Sequence, residues 1–152
     1  MGKEALDDLI RFLTPYPVHV QEAALWLHNF LWDMFPDCNE LIYDNYNALA
    51  FGPSLTDKAG DVICSVAVFA RYVNFGLNRG SEISDPNHIL QGNASLYRYI
   101  TVKNINDFPE QEMRLLLRDA YENALNRLKP GKQVIKGQTI TKSISPVKKR
   151  PA

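Results

Sequence analysis

Residues 62–77 read VICSVAVFARYVNFGL, and this stretch decides the fold class. From Val62 to Phe69, small and β-branched apolar residues fill both faces, the composition of a strand in the interior of a sheet. From Arg71 to Leu77 the residues alternate: Val73, Phe75 and Leu77 point one way, and Tyr72, Asn74 and Gly76 the other. The link at Ala70-Arg71 is too short for a crossover, so the two strands are expected to be antiparallel neighbours.

Downstream, an irregular stretch rich in Gly, Asn, Ser, Asp and Pro separates this pair from a further strand, Leu96 to Val102, LYRYITV. Connections longer than about 12–15 residues are uncommon in compact domains and are either functional or disordered. The specific turn residues here argue for order. Upstream, Glu40 to Phe51, ELIYDNYNALAF, reads as an aromatic-rich strand bounded by turn residues. Before it, Glu4 to Leu13 forms a short helix stopped by Thr14-Pro15-Tyr16-Pro17. Val18 to Phe35 forms a second, with Ala23, Leu27, Phe30, Leu31 and Met34 recurring at helical spacing. After the last strand, Asp107 with Glu110 reads as an N-cap pair. Met113, Leu116, Leu117, Ala120, Ala124 and Leu128 then make the apolar stripe of a helix that covers the sheet. The fold class expected is α+β: one domain over 1–128, with a mainly antiparallel sheet of about four or more strands, two N-terminal helices and one C-terminal helix.

A chain of 152 residues suits one domain, and 45% apolar with 22% charged residues is a globular mixture. No apolar run approaches the roughly 18 residues of a membrane span, so no membrane partner is expected. The stretch Met1–Asp8 lacks the features of a signal peptide, which leads to the expectation of a cytoplasmic protein with Cys38 and Cys64 as reduced thiols. The zero net charge hides an asymmetry. Residues 129–152 carry seven bases and no acid, leaving ten bases against seventeen acids, a net of minus seven, in 1–128. With no apolar periodicity beyond Leu128, residues 129–152 read as a basic, flexible tail. An acidic body makes nucleic acid an unlikely partner for Lys148-Lys149-Arg150, whose binding would be weak and salt-sensitive.

Two groups of residues carry candidate chemistry. Arg98 falls on the apolar face of its strand with Leu96, Ile100 and Val102. A buried guanidinium there needs a carboxylate or several carbonyls, because an unpaired buried charge costs several kcal/mol. Glu82, Asp85 and Glu40 are candidate partners, and the plain role is to pin the loop to the sheet. At the start of the loop, Gly76-Leu77-Asn78-Arg79-Gly80-Ser81 combines close-approach glycines with an arginine able to clamp an oxyanion. Arg79 and Arg98 could then line one polar pocket, although turn chemistry explains the same residues. The second group is acidic: Asp33, Asp37, Glu40 and Asp44, oxygen ligands of the kind hard cations take, or simply a solvated acidic face. His19, His28 and His88 are scattered, and no HExxH, CxxC or GxSxG motif is present, so no catalytic set and no zinc site is recognisable.

The stretch YVNFGLNRGSEISDPNHILQGNASLYRYITV resembles the central signature of the YdhG-like domains, the group known as domain of unknown function 1801, and NELIYDNYNALAFGP resembles the strand before it. The features shared are Asn74 in the strand, Arg79-Gly80, the Asp85-Pro86 turn, Leu90 with Gly92, and Arg98. Ala94-Ser95 depart from the glycine and basic residue common in the family just before the last strand. The resemblance covers most of residues 4–128. It implies a compact α+β fold with the long loop ordered against the sheet. It implies little chemistry, although a frataxin-like iron chaperone is a relative of the group.

The function expected is a non-catalytic cytoplasmic binding domain without a cofactor. It would take a small anionic ligand or a peptide, from a small-molecule or protein partner, between residues 78–95 and the sheet through Asn74, Arg79, Asp85 and Arg98. The alternative is an iron-binding protein using Asp33, Asp37, Glu40 and Asp44.

Overall fold

A computed structural model describes residues 3–45, 48–128 and 137–146. Two N-terminal helices, α1 (Lys3–Leu13) and α2 (Val18–Met34), precede a run of strands, β1 (Asn39–Asp44), β2 (Leu49–Ser54), β3 (Cys64–Val68), β4 (Val73–Leu77) and β5 (Arg98–Val102). Helix α3 (Glu110–Arg127) and a last strand, β6 (Thr139–Ile144), follow. The six strands form one mixed sheet in the order β5-β4-β3-β2-β1-β6. Neighbours are antiparallel except β1 with β6, which run parallel because the chain crosses over through α3. Among the described residues no helix is long and apolar enough to cross a membrane.

The helices cover one face of the sheet. The inward residues Ile42, Phe51, Val66, Val68, Val73, Phe75, Ile100 and Val102 join Leu9, Leu13, Leu27, Leu31, Met113 and Leu117 in a single core. Trp26 stacks on Phe30, and Phe108 packs edge-on against Trp26, Phe30 and Phe75, closing the core where α3 begins. The strand pair at 62–77 is antiparallel, with Val66 opposite Phe75 and Val68 opposite Val73.

Three expectations change. The aromatic segment at 40–51 is a hairpin of two strands, since Asn45 donates its backbone N–H to Ala48 O and Ile42 pairs with Phe51. A turn built from Asp and Asn interrupts the apolar pattern less visibly than one built from Gly and Pro. Helix α3 starts at Glu110 behind Pro109 with no side-chain cap, whereas Asp107 ends a 3-10 turn over Ile105–Asp107, itself capped by Asn104.

The third change concerns the tail. Residues Thr139–Ile144, expected to be flexible, are β6 against the edge of β1, with Glu40 opposite Thr139 and Ile42 opposite Thr141. Backbone pairing and side-chain hydrogen bonds, from Thr139 Oγ1 to Glu40 Oε1, from Thr141 Oγ1 to Asp8 Oδ2 (3.1 Å) and from Ser143 Oγ to Asn45 Oδ1 (2.7 Å), hold it there. Neither force leaves an apolar periodicity in the sequence. Residues 129–136 and 147–152, including Lys148-Lys149-Arg150, lie outside the described residues.

Candidate binding groove

The long connection between β4 and β5 is held at several points. A 3-10 turn at Gly80–Glu82 opens it, Ser81 N–H donates to Leu96 O, and Gln91 and Tyr99 exchange two backbone hydrogen bonds. Asp85 organises its centre. Both carboxylate oxygens accept backbone N–H groups, from Ile89 (3.1 Å) and Leu90 (2.9 Å), while His88 N–H meets Asp85 O. Closing this loop puts His88 at φ 52° and Gly92 at φ 115°, left-handed conformations that cost a glycine little and histidine more.

The loop's arginines hold separate partners. Arg79 makes a two-point pair with Glu82 (2.9 and 3.0 Å), and Glu82 also accepts from Asn123 Nδ2 (3.0 Å), which ties the loop to α3. Hydrogen bonds from Arg79 and then from Asn123 pull the Glu82 carboxyl down to about 2. Arg98 Nη1 donates to two carbonyls, Ala94 O (2.5 Å) and Tyr97 O (2.7 Å), and the root of its side chain packs on Gly80. Arg79 borders a small hollow with Ile83, Asn123 and Arg127, and Arg98 is not in its wall. Asn74 is on the outer face of the sheet, accepting from Thr101 Oγ1 (2.8 Å).

The four carboxylates at 33–44 divide between surface and interior. Asp33 and Asp37 are exposed, whereas Glu40 and Asp44 lie on the inward face of β1 and are buried. Strand alternation and the buried helix face above it explain the split. Glu40 Oε2 meets Nδ1 of His28 on α2 at 2.5 Å, and its Oε1 accepts from Thr139 Oγ1 of β6 (3.4 Å). A buried polar network thus joins α2, β1 and β6. Among the described residues no three His, Cys, Asp or Glu side chains gather as a metal set, so the surface group of four expected for iron does not assemble. Cys38 is a buried thiol whose pKa is pushed up to about 12, by desolvation first and by the charge of Asp37 second. It stays protonated at neutral pH and is a poor nucleophile.

The concavity that emerges lies between residues 84–89 and the outer face of α3. It has a volume of about 450 Å³, within the range of pockets that hold ligands. Pro86, Ile89, Leu115 and Leu116 form its apolar wall, and Asp85, Glu112, Arg118, Asp119 and Glu122 its charged rim. Leu115 is 61% exposed, an apolar side chain on the face of α3 opposite the buried stripe. The carboxylate of Asp85 is occupied by its own loop. Among the described residues Glu112, Arg118, Asp119 and Glu122 form no ion pair. A second hollow, of about 390 Å³, continues past Arg118 and Glu122 and adds Asp33, Asp37, Met34 and Tyr121.

Of the residues expected to bind, then, only Asp85 lines the groove, and Asp33 and Asp37 line its extension. The residues of α3 escaped the sequence reading because a helix surface rich in charge is ordinarily solvated. Leu115 is the one signal that could have marked them, being out of phase with the apolar stripe. Comparison with protein families, with curated proteins and with solved structures returned no match.

Proposed function

We propose that this chain is a YdhG-like, non-catalytic binding domain whose groove receives a protein segment presenting an apolar side chain flanked by Lys or Arg. The observation that carries this reading is the acidic rim around an exposed leucine: Glu112, Asp119 and Glu122, without an ion pair among the described residues, stand with the loop-bound Asp85 against one base, Arg118, beside an apolar wall. Apolar contact at Leu115 and Ile89 would supply affinity, and Glu112, Asp119 and Glu122 would supply orientation and a faster encounter. A small anion would be repelled by the same rim. Arg79 and Arg98, which suggested an anion, already meet Glu82 and two carbonyls.

The test is an amide-shift titration of the isotope-labelled chain with acetyl-Arg-Leu-Lys-Leu-Arg-amide and with acetyl-Glu-Leu-Asp-Leu-Glu-amide. The basic peptide should perturb residues 84–89 and 112–122. Its affinity should fall as salt is raised and fall at least ten-fold in Leu115→Asp or in a Glu112→Lys, Asp119→Lys double variant. Equal binding of the acidic peptide, or perturbation confined to other surfaces, would overturn the reading.

A further inference from the structure

The helices cover one face of the sheet, and on the other face the central positions carry small side chains: Ala50 and Gly52 on β2, Ser65 and Ala67 on β3, Gly76 on β4. One end of this trough is roofed by the segment after β2, which brings Ala59 and Val62 over it. Together they border an open hollow of about 310 Å³. Its floor includes Leu41, fully buried and outside the main core. A side chain at position 52 would meet the Cys64 carbonyl oxygen of β3, so the floor stays flat there.

We infer that this outer-face cavity is a second binding site, for a small uncharged ligand with a flat apolar body and a carboxamide-like edge. Charge is what selects the ligand. Among the described residues the lining is apolar or neutral, with no Asp, Glu, Lys, Arg or His. An ion seated there would give up part of its hydration and find no counter-charge among the described lining residues. Two neutral polar groups, on Asn78 and Tyr43, are available. Ser65 Oγ donates to Asn78 Oδ1 (3.4 Å), leaving the Asn78 amide N–H groups without a partner among the described residues. The hydroxyl of Tyr43 is likewise without one, and burial raises its pKa above the ordinary value, so it remains a neutral donor. A ring lying over Ala50 and Gly52, with its carbonyl oxygen toward the Asn78 amide, uses the flat floor and the free donor together. The groove along α3 shares no lining residue with this cavity, so the two sites stand or fall separately.

Three probes of one shape test the inference: benzamide, benzoate and benzamidinium, each titrated into the isotope-labelled full chain at constant ionic strength. Benzamide should shift the amides of Gly52, Ser65 and Asn78 and bind at least ten-fold more tightly than either ion. Ala50→Phe, on the outer face where it fills the cavity, should abolish those shifts while leaving the rest of the spectrum in place. Should that variant fail to fold, Asn78→Ala, which removes the side-chain donor, should weaken benzamide about three- to ten-fold. Binding of either ion as tight as that of benzamide overturns the inference. So does the absence of shifts at these residues, or benzamide affinity unchanged in the folded variants.

Discussion

Replacing Glu40 with alanine should destabilise the protein by about 3–5 kcal/mol, the cost of breaking a buried pair from one side. The geometry places it in that class. The side chains of His28 and Glu40 are 7% and 5% exposed, and Nδ1 and Oε2 lie 2.5 Å apart. Whichever atom carries the proton, removing the carboxylate leaves a buried ring nitrogen without its partner. It also takes the acceptor from Thr139 Oγ1, loosening β6. Glu40→Gln keeps an acceptor of similar shape and should cost about 1–2 kcal/mol, the difference between a charge-assisted and a neutral hydrogen bond. The pair His28→Leu with Glu40→Leu removes both polar groups, so it should cost less than Glu40→Ala alone, with a coupling of about 1–3 kcal/mol. Urea unfolding followed by far-ultraviolet circular dichroism measures the parent, Glu40→Ala, Glu40→Gln, the pair, and the single His28→Leu and Glu40→Leu variants that close its cycle. For a chain of this size Tm for Glu40→Ala should fall by about 6–20 °C. A loss below about 1 kcal/mol for Glu40→Ala, or single effects that simply add, would refute the reasoning.

Other perturbations separate the forces elsewhere. Gly52→Ala places a methyl group against the backbone of β3 and should cost more than about 3 kcal/mol by thermal melting; Gly60→Ala, with nothing within 4 Å, should stay within about 0.5 kcal/mol of the parent. Cys38 and Cys64 should resist iodoacetamide at pH 8 in the native protein and react once it is unfolded, as read by intact mass. Because the Cys38 pKa is raised from 9.0 to about 12, its contribution to stability is whole below pH 9 and is lost as pH rises through about 12; rapid labelling of native Cys38 would refute this. Glu82 has the opposite sign: its contribution is present above pH 4.5 and is lost as pH falls through about 2, and Arg79→Ala should move its carboxyl titration back up, measured by carbon-detected resonance.

The sequence by itself determined the element types of α1, α2, α3, β3, β4 and β5, and the inward faces of α2, α3 and β4. Helical spacing in α2 and α3 and the alternation over 71–77 are local consequences of burying one side of a helix or strand, so they are written in neighbouring residues. Order in the loop was legible for the same reason, since Asp85 bonds to residues only four and five positions away. Tertiary structure alone decided what depends on distant partners. His28 sits on the apolar stripe of α2, but its meeting with Glu40 requires β1 to pack beneath that helix. β6 exists because β1 offers an open edge nearly a hundred residues earlier in the chain, and hydrogen bonding to an edge imposes no apolar pattern. The groove arises where the loop from one end of the sheet meets the outer face of α3. Charges scattered through Asp85, Glu112, Asp119 and Glu122 become one acidic rim only when the chain has folded, because an electrostatic field sums over space rather than along the sequence.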